Sequence, residues 1–206
     1  MLARFPDGNI LIYRQMALVT ENIVGKLLDG ALERGWGDRI ALSQGDRHWT
    51  YAEVRDTSAR VATALKTLRV GRGDRVAVFS RDTLEAATAI LGTIYAGAVA
   101  VPVTELGRPN DIRDRLLDCG AVAAIVDADL ESILESIRSE VPDLREVIVF
   151  GGSNPGQRDF RSLIRGASPS AGPTDVEADD PAFILYSAGA RTASNIPESD
   201  VGQRLR

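Results

Sequence analysis

Gly73-Asp-Arg-Val-Ala-Val-Phe79 is a turn that leads into a short, continuous apolar run, and Ala98-Val-Ala-Val-Pro-Val103 is a second run of the same kind. The residues between them, 83–96, carry apolar side chains at helical spacing. Runs that are apolar throughout, instead of alternating, are typical of parallel strands covered by helices on both faces. The stretch therefore predicts a strand–helix–strand unit of a parallel α/β sheet.

The alternation of predicted strands and helices continues downstream of this unit, and further elements are predicted upstream of it. Downstream, it predicts a helix over 109–119, a strand over 123–126, a helix over 130–140, a strand over 146–150 and a short helix over 158–165. Upstream, it predicts a helix beginning near Thr20, with Ile23, Leu27, Leu28, Ala31 and Leu32 as its apolar residues. A hairpin turning at Gly45-Asp46 and a helix over 51–68 follow it.

The predicted fold class is α/β, a doubly wound, mostly parallel sheet with helices on both faces, plus a small N-terminal hairpin. Residues 1–19 are expected to be an N-terminal extension and residues 20–165 the α/β subdomain. The Pro-, Ser- and Gly-rich stretch 166–181 is interpreted as a linker. Residues 182–206 are interpreted as the truncated, disordered start of a second subdomain, with the strand 182–186 separated from its own sheet.

Composition excludes several classes of function. The chain has 206 residues and a net charge of −5, which provides no electrostatic footprint for nucleic acid. No apolar stretch approaches the length of a membrane span, and no cleavable signal is evident. The single cysteine, Cys119, and the single histidine, His48, argue against disulfides and zinc sites. We interpret Cys119 as a small buried residue and His48 as an exposed hairpin residue in a cytoplasmic protein.

Three motifs follow one another along the chain. The first, Trp49-Thr-Tyr-Ala-Glu-Val54, places a threonine and a glutamate at the spacing of a helix capping box. The second is Ile94-Tyr-Ala-Gly-Ala-Val-Ala-Val-Pro102, and the third is the apolar run Asp180-Pro-Ala-Phe-Ile-Leu-Tyr-Ser-Ala-Gly189. A strand that ends in Ser-x-Gly is typical of the approach to a phosphate-binding loop, in which backbone N–H groups and hydroxyls face the anion.

In this order, the three blocks resemble the N-terminal part of the adenylate-forming (AMP-binding) superfamily of acyl- and aryl-CoA synthetases, adenylation domains and luciferases. The third block is similar to that of benzoate-type acid–CoA ligases. The resemblance implies a ligase that uses ATP, Mg²⁺ and CoA to activate a small carboxylic acid. It assigns Ser187 and Gly189 to a remnant of the nucleotide-phosphate loop, and it assigns no catalytic residue and no metal ligand within this chain.

The resemblance stops after Gly189. Family members continue with further hydroxyl residues, a glycine and a Pro-Lys-Gly sequence. The residues that depart from this pattern are Ala188, Ala190, Arg191, Thr192 and Asn195. The expectation is therefore an inactive fragment that binds none of these cofactors, arising from a frameshift, an early stop or an artificial boundary.

Two alternatives remain open at this point. The first is a non-catalytic interaction domain, which pairs as a homo-oligomer or as a split-enzyme subunit with a second fragment. The second is a free-standing nucleotide-binding module. Gly151-Gly-Ser-Asn-Pro-Gly156 is a competing phosphate loop, but its spacing does not match the dinucleotide fingerprint, which favours a plain turn.

Overall fold

The computed structural model describes residues 22–103, 108–151 and 158–186. Its helices are α1 (Ile23–Glu33), α2 (Tyr51–Thr67), α3 (Leu84–Tyr95), α4 (Pro109–Cys119), α5 (Glu131–Ile137) and α6 (Phe160–Gly166). Its strands are β1 (Ile40–Gln44), β2 (Arg47–Thr50), β3 (Arg75–Phe79), β4 (Val99–Val103), β5 (Ala123–Asp127), β6 (Glu146–Phe150) and β7 (Arg158–Asp159). A 3₁₀ turn over Arg138–Glu140 extends α5.

The described strands form one parallel sheet and one hairpin. The sheet has the order β4-β3-β5-β6-β7, and every pairing in it is parallel. Strands β1 and β2 form a separate antiparallel hairpin. This arrangement confirms the predicted doubly wound α/β class with its small N-terminal hairpin.

Two apolar cores lie on opposite faces of the sheet. Alternate residues of the strands point to each face, so Val76 and Val78 of β3 pack with α2 and α3, whereas Ala77 and Phe79 pack with α4 and α5. Both sets are almost fully buried. The continuous apolar runs of the strands are explained by this burial on both sides.

Helix α2 begins with the predicted capping box. The amide of Glu53 donates to Thr50 Oγ1 at 3.3 Å, and the Glu53 carboxylate accepts from the amide of Thr50 at 2.8 Å. These two bonds satisfy backbone donors that the first helical turn leaves without intrahelical partners.

Only part of the apolar set of α1 is buried. The helix begins at Ile23 with Asn22 as its N-cap, and it buries Val24, Gly25, Leu28 and Ala31. Ile23, Leu27 and Leu32 are exposed instead. The orientation follows from the N-cap, because the Asn22 side-chain amide donates to the carbonyl of Ile94 at 2.6 Å and thereby ties the start of α1 to the end of α3.

The segment 182–186, interpreted above as a strand separated from its own sheet, contacts the edge of the parallel sheet. Phe183 forms a parallel bridge with Ala100 of β4. The amide of Ala100 donates to the carbonyl of Ala182, and the amide of Ile184 donates to the carbonyl of Ala100. The open edge of β4 accepts this segment because its backbone groups need partners. The boundaries assigned to the domains stay predictions.

Residues 167–180, which belong to the predicted linker, cross the helical layer as a strap. The carbonyls of Ala167, Ser168 and Pro169 accept bonds of 2.7–2.8 Å from side chains of α2. Further along, the amide of Thr174 donates to the carbonyl of Tyr95 at 2.9 Å. The strap therefore holds the segment 182–186 next to β4.

The crossing of α2 and α3 depends on Gly92. A Cβ atom at Gly92 would lie 2.6 Å from Val61 Cγ1 and 2.8 Å from the backbone oxygen of Ser58. Gly92→Ala should therefore lower the free energy of unfolding by about 2–3 kcal/mol through overpacking.

Gly30→Ala is the matched control, because the nearest described atoms that a Cβ at that helical glycine would meet belong to the Arg34 side chain, at 3.6 Å or more. It should raise the free energy of unfolding by roughly 0.5–1 kcal/mol. Urea unfolding of both variants measures the change in the free energy of unfolding that each substitution causes. Equal effects would show that the α2–α3 approach does not constrain residue 92.

Candidate functional site

The carboxyl edge of the sheet between β3 and β5 is where the chain connectivity diverges. From β3 the chain continues to β4 on one side, and it then crosses to β5 on the other side. Open α/β sheets bind their ligands outside the carboxyl ends of strands at such a switch point. Ser80 and Arg81 follow β3 here, and Asp127 ends β5.

These residues form a closed network of hydrogen bonds. Ser80 Oγ donates to Asp127 Oδ1 at 2.7 Å, and the amide of Arg81 donates to Asp127 Oδ2 at 2.9 Å. The guanidinium of Arg81 lies 2.5 Å from the carboxylate of Asp129. The Asp127 carboxylate thus holds the loop after β3, while the Arg81 guanidinium offsets the charge of Asp129.

The segment that leads to the predicted phosphate loop is clamped at its start by Arg72. The guanidinium of Arg72 lies 2.6 Å from Asp180 and 2.8 Å from Glu177. The hydrogen bond from Arg72 lowers the pKa of the Asp180 carboxyl below its ordinary value. This clamp joins the turn before β3 to the end of the strap.

Tyr186 anchors the other end of the same segment. Its hydroxyl donates to Asp118 Oδ2 at 2.8 Å and lies 3.1 Å from the carbonyl oxygen of Arg115. The Arg115 guanidinium lies over the Tyr186 ring, 5.7 Å from its centroid. Burial is the main reason why the pKa of Tyr186 is raised above its ordinary value. Both ends of residues 180–186 are therefore fixed to the subdomain.

The two predicted phosphate-loop residues, Ser187 and Gly189, lie outside the described residues, and their role stays a prediction. The competing loop also lies outside them except for Gly151, which has a left-handed φ of 80°. Within the described ranges, no three His, Cys, Asp or Glu side chains come together to form a metal site. None of the described helices has the length and apolar content needed to cross a bilayer.

The interpretations of Cys119 and His48 are confirmed. Cys119 is buried, and that burial raises the pKa of its thiol to about 11, so it is a poor nucleophile at neutral pH. His48 is exposed on the hairpin, with its Nδ1 2.9 Å from Ser43 Oγ. Sequence reasoning missed the Ser80–Asp127 contact, although both residues lie at the carboxyl ends of predicted parallel strands.

Comparison with known sequences identifies relatives of this chain. Residues 31–191 match the profile of the AMP-binding enzyme family. The chain is 29% identical over 170 residues to a 3-hydroxybenzoate–CoA/4-hydroxybenzoate–CoA ligase of Thauera aromatica, a match that covers 82% of this chain and 32% of that ligase. It is 31% identical over 192 residues to an acetyl-coenzyme A synthetase of Syntrophobacter fumaroxidans, covering 82% of this chain and 29% of the synthetase.

Solved structures agree with this result. A crystal structure of an anthranilate CoA ligase in complex with anthranoyl-AMP superposes with a TM-score of 0.75 at 29% identity, covering 81% of this chain and 31% of that one. A benzoate CoA ligase from Burkholderia xenovorans LB400 superposes with a TM-score of 0.69 at 29% identity, covering 79% and 32%. The chain spans about a third of the length of these relatives.

Tyr186→Phe should release the end of the segment that leads to Ser187. Loss of the hydrogen bond to a carboxylate should lower the free energy of unfolding by about 1–2 kcal/mol. It should also increase hydrogen exchange at the amide of Ile184, which bonds to Ala100, more than at the amides of β3. Thermal unfolding and exchange mass spectrometry measure the two effects.

Tyr51→Phe is the control, because no hydrogen bond of the Tyr51 hydroxyl occurs among the described residues. It should leave both measurements unchanged. An unchanged exchange rate at Ile184 in Tyr186→Phe would contradict the anchoring role.

Proposed function

Because the chain belongs to the AMP-binding enzyme family, we propose that it is the N-terminal part of an ATP-dependent acid–CoA ligase. Such a ligase first joins a carboxylate to AMP, releasing pyrophosphate, and then transfers the acyl group to the thiol of CoA. The observation that carries the proposal is the superposition on the anthranilate CoA ligase over 81% of this chain. The three sequence blocks in family order support it.

The proposed substrate is a small carboxylic acid, and specifically an aromatic one. The relatives named for hydroxybenzoate, benzoate and anthranilate support this choice, whereas the acetyl-coenzyme A synthetases favour a smaller acid. Mg²⁺ would accompany ATP in the complete ligase. The single cysteine, buried and with a raised pKa, is consistent with the proposed cytoplasmic location.

We further propose that the 206 residues alone do not catalyse adenylation, because their donor set does not fit ATP. Ala188 and Ala190 have no hydroxyl, and Asn195 stands where the resemblance expects the lysine. Loss of one donor to a developing anion costs on the order of 3 kcal/mol. At the switch point, the Arg81 guanidinium is already paired with the carboxylate of Asp129.

ATP–pyrophosphate exchange by the purified chain tests this proposal. With benzoate, 3- and 4-hydroxybenzoate, anthranilate or acetate as substrate, we expect exchange no faster than in the protein-free blank. Circular dichroism on the same sample verifies that the domain is folded.

Robust exchange that is lost in Ser187→Ala would overturn the proposed inactivity. Ser136→Ala is the matched control, because the exposed Ser136 hydroxyl donates to the carbonyl of Ile133 within its own helix and has no other hydrogen bond within the described ranges. Exchange that persists unchanged in both variants would indicate a contaminating ligase and would leave the proposal standing.

A further inference from the structure

The strap and the segment that follows it are held by two different kinds of contact. Residues 167–174 lie against α1, α2 and α3, where most of the side chains that bind them are buried or half-buried. Residues 177–186 lie against the turn before β3, the edge of β4 and the end of α4. The two parts therefore differ in what is needed to release them.

The first part is fixed by close packing as well as by hydrogen bonds. Pro173 fills the space beside Gly25 of α1, where a Cβ atom would lie 2.6 Å from Pro173 Cγ. A Cβ atom at Gly97 would likewise lie 3.0 Å from Thr174 Cγ2. The buried Asn22 amide donates to the carbonyl of Thr174 at 3.3 Å. These contacts join uncharged groups, so dissolved salt does not screen them.

The second part depends on the guanidinium of Arg72. It is shared by the carboxylates of Glu177 and Asp180, and both ion pairs are open to water, since the Arg72 side chain is 43% exposed and that of Glu177 is 72% exposed. Exposed ion pairs are weak, and salt screens them. The amide of Glu177 also donates to Asp180 Oδ2 at 2.9 Å, which keeps the two carboxylates close together. Without the guanidinium between them, the two carboxylates would repel each other.

Beyond this clamp, the segment 182–186 has few further backbone contacts. Among the described residues, one bridge and two backbone hydrogen bonds join it to β4. Ile184 alone of these five residues is fully buried, and Leu185 is exposed. A segment with few buried apolar groups and few backbone bonds opens at a lower free energy than the core of its domain. The segment can therefore leave β4 while the sheet remains folded.

The end of the segment shields Cys119. The ring of Tyr186 packs against the same apolar core as the cysteine, and its hydroxyl donates to Asp118 at 2.8 Å. Burial raises the pKa of the Cys119 thiol to about 11, and a hydrogen bond with the Tyr186 hydroxyl partly offsets that rise. Because the chain has a single cysteine, the reactivity of this thiol reports on the position of Tyr186 alone.

We propose that Arg72 is the latch of an opening built into the fold, in which residues 177–186 leave the edge of β4 together while residues 167–174 and the sheet stay in place. Opening exposes the backbone groups of β4 and the thiol of Cys119. It also frees the point from which the chain continues to Ser187. The inference concerns the subdomain itself and is independent of whether the chain belongs to an active ligase.

The rate at which iodoacetamide modifies Cys119 in the folded full chain tests the proposal. Arg72→Gln should raise this rate roughly threefold to tenfold at low salt, because both exposed ion pairs of the latch are lost. At about 1 M sodium chloride the rate of the unsubstituted chain should rise to meet that of the variant, because salt has already screened its ion pairs. Glu177→Gln removes one of the two pairs and should raise the rate roughly twofold.

Arg47→Gln is the matched control. Arg47 is also an exposed arginine in an ion pair, with Glu85, but its described bonds stay between the hairpin and the start of α3. Its substitution should leave the modification rate of Cys119 unchanged at both salt concentrations.

Hydrogen exchange separates this opening from unfolding of the whole subdomain. In Arg72→Gln, exchange at the amide of Ile184 should accelerate by the same factor as the modification of Cys119. Exchange should stay unchanged at the amides of β3 and at the amide of Thr174, which bonds to the carbonyl of Tyr95 in the first part of the strap.

Three outcomes would overturn the proposal. The first is an equal modification rate in Arg72→Gln and the unsubstituted chain at low salt. The second is an equal rise in Arg47→Gln, which would indicate that the loss of any surface ion pair loosens the protein. The third is faster exchange in β3 to the same extent as at Ile184, which would indicate global unfolding.

Discussion

Burial of the parallel sheet on both faces is the constraint on which the rest of this structure depends. Each inner strand must carry apolar side chains on both sides, as Val76 and Ala77 do on neighbouring positions of β3. Helices must then cover both faces, and the connections that lead into them meet at the two ends of the strands. Polar side chains lie at the ends of the strands because only the strand residues between the two helical layers have to be apolar.

The local part of this architecture could be predicted from sequence. The bounds of α4 and β6 agree with the prediction, because a proline opens the helix and a glycine ends it, while the strand is a short apolar run between polar residues. The capping box of α2 was also predictable, since both of its members lie within one turn. These features depend only on residues close together in the chain.

What could not be predicted depends on contacts between distant residues. The orientation of α1 follows from Asn22, whose side chain reaches the carbonyls of Ile94, Tyr95 and Thr174. The Ser80–Asp127 contact joins the ends of two strands and needs the strand order to be recognised. The composition of the strap favours a linker, although its carbonyls accept hydrogen bonds from side chains of α2. A composition rich in Pro, Ser and Gly indicates that a segment forms no helix or strand, but it does not indicate which hydrogen bonds the segment makes to the rest of the protein.

The pairing of Phe183 with Ala100 also has a consequence for how the protein is made. The two residues lie roughly 80 positions apart, so a ribosome adding about 5–20 residues per second exposes the edge of β4 for several seconds before its partner emerges. During that interval the nascent chain presents unpaired backbone groups that neighbouring chains can engage. Closure of so long a loop also makes this edge a slow step of folding. The arrival of the segment 182–186 thus sets how long the growing chain exposes an edge that can aggregate.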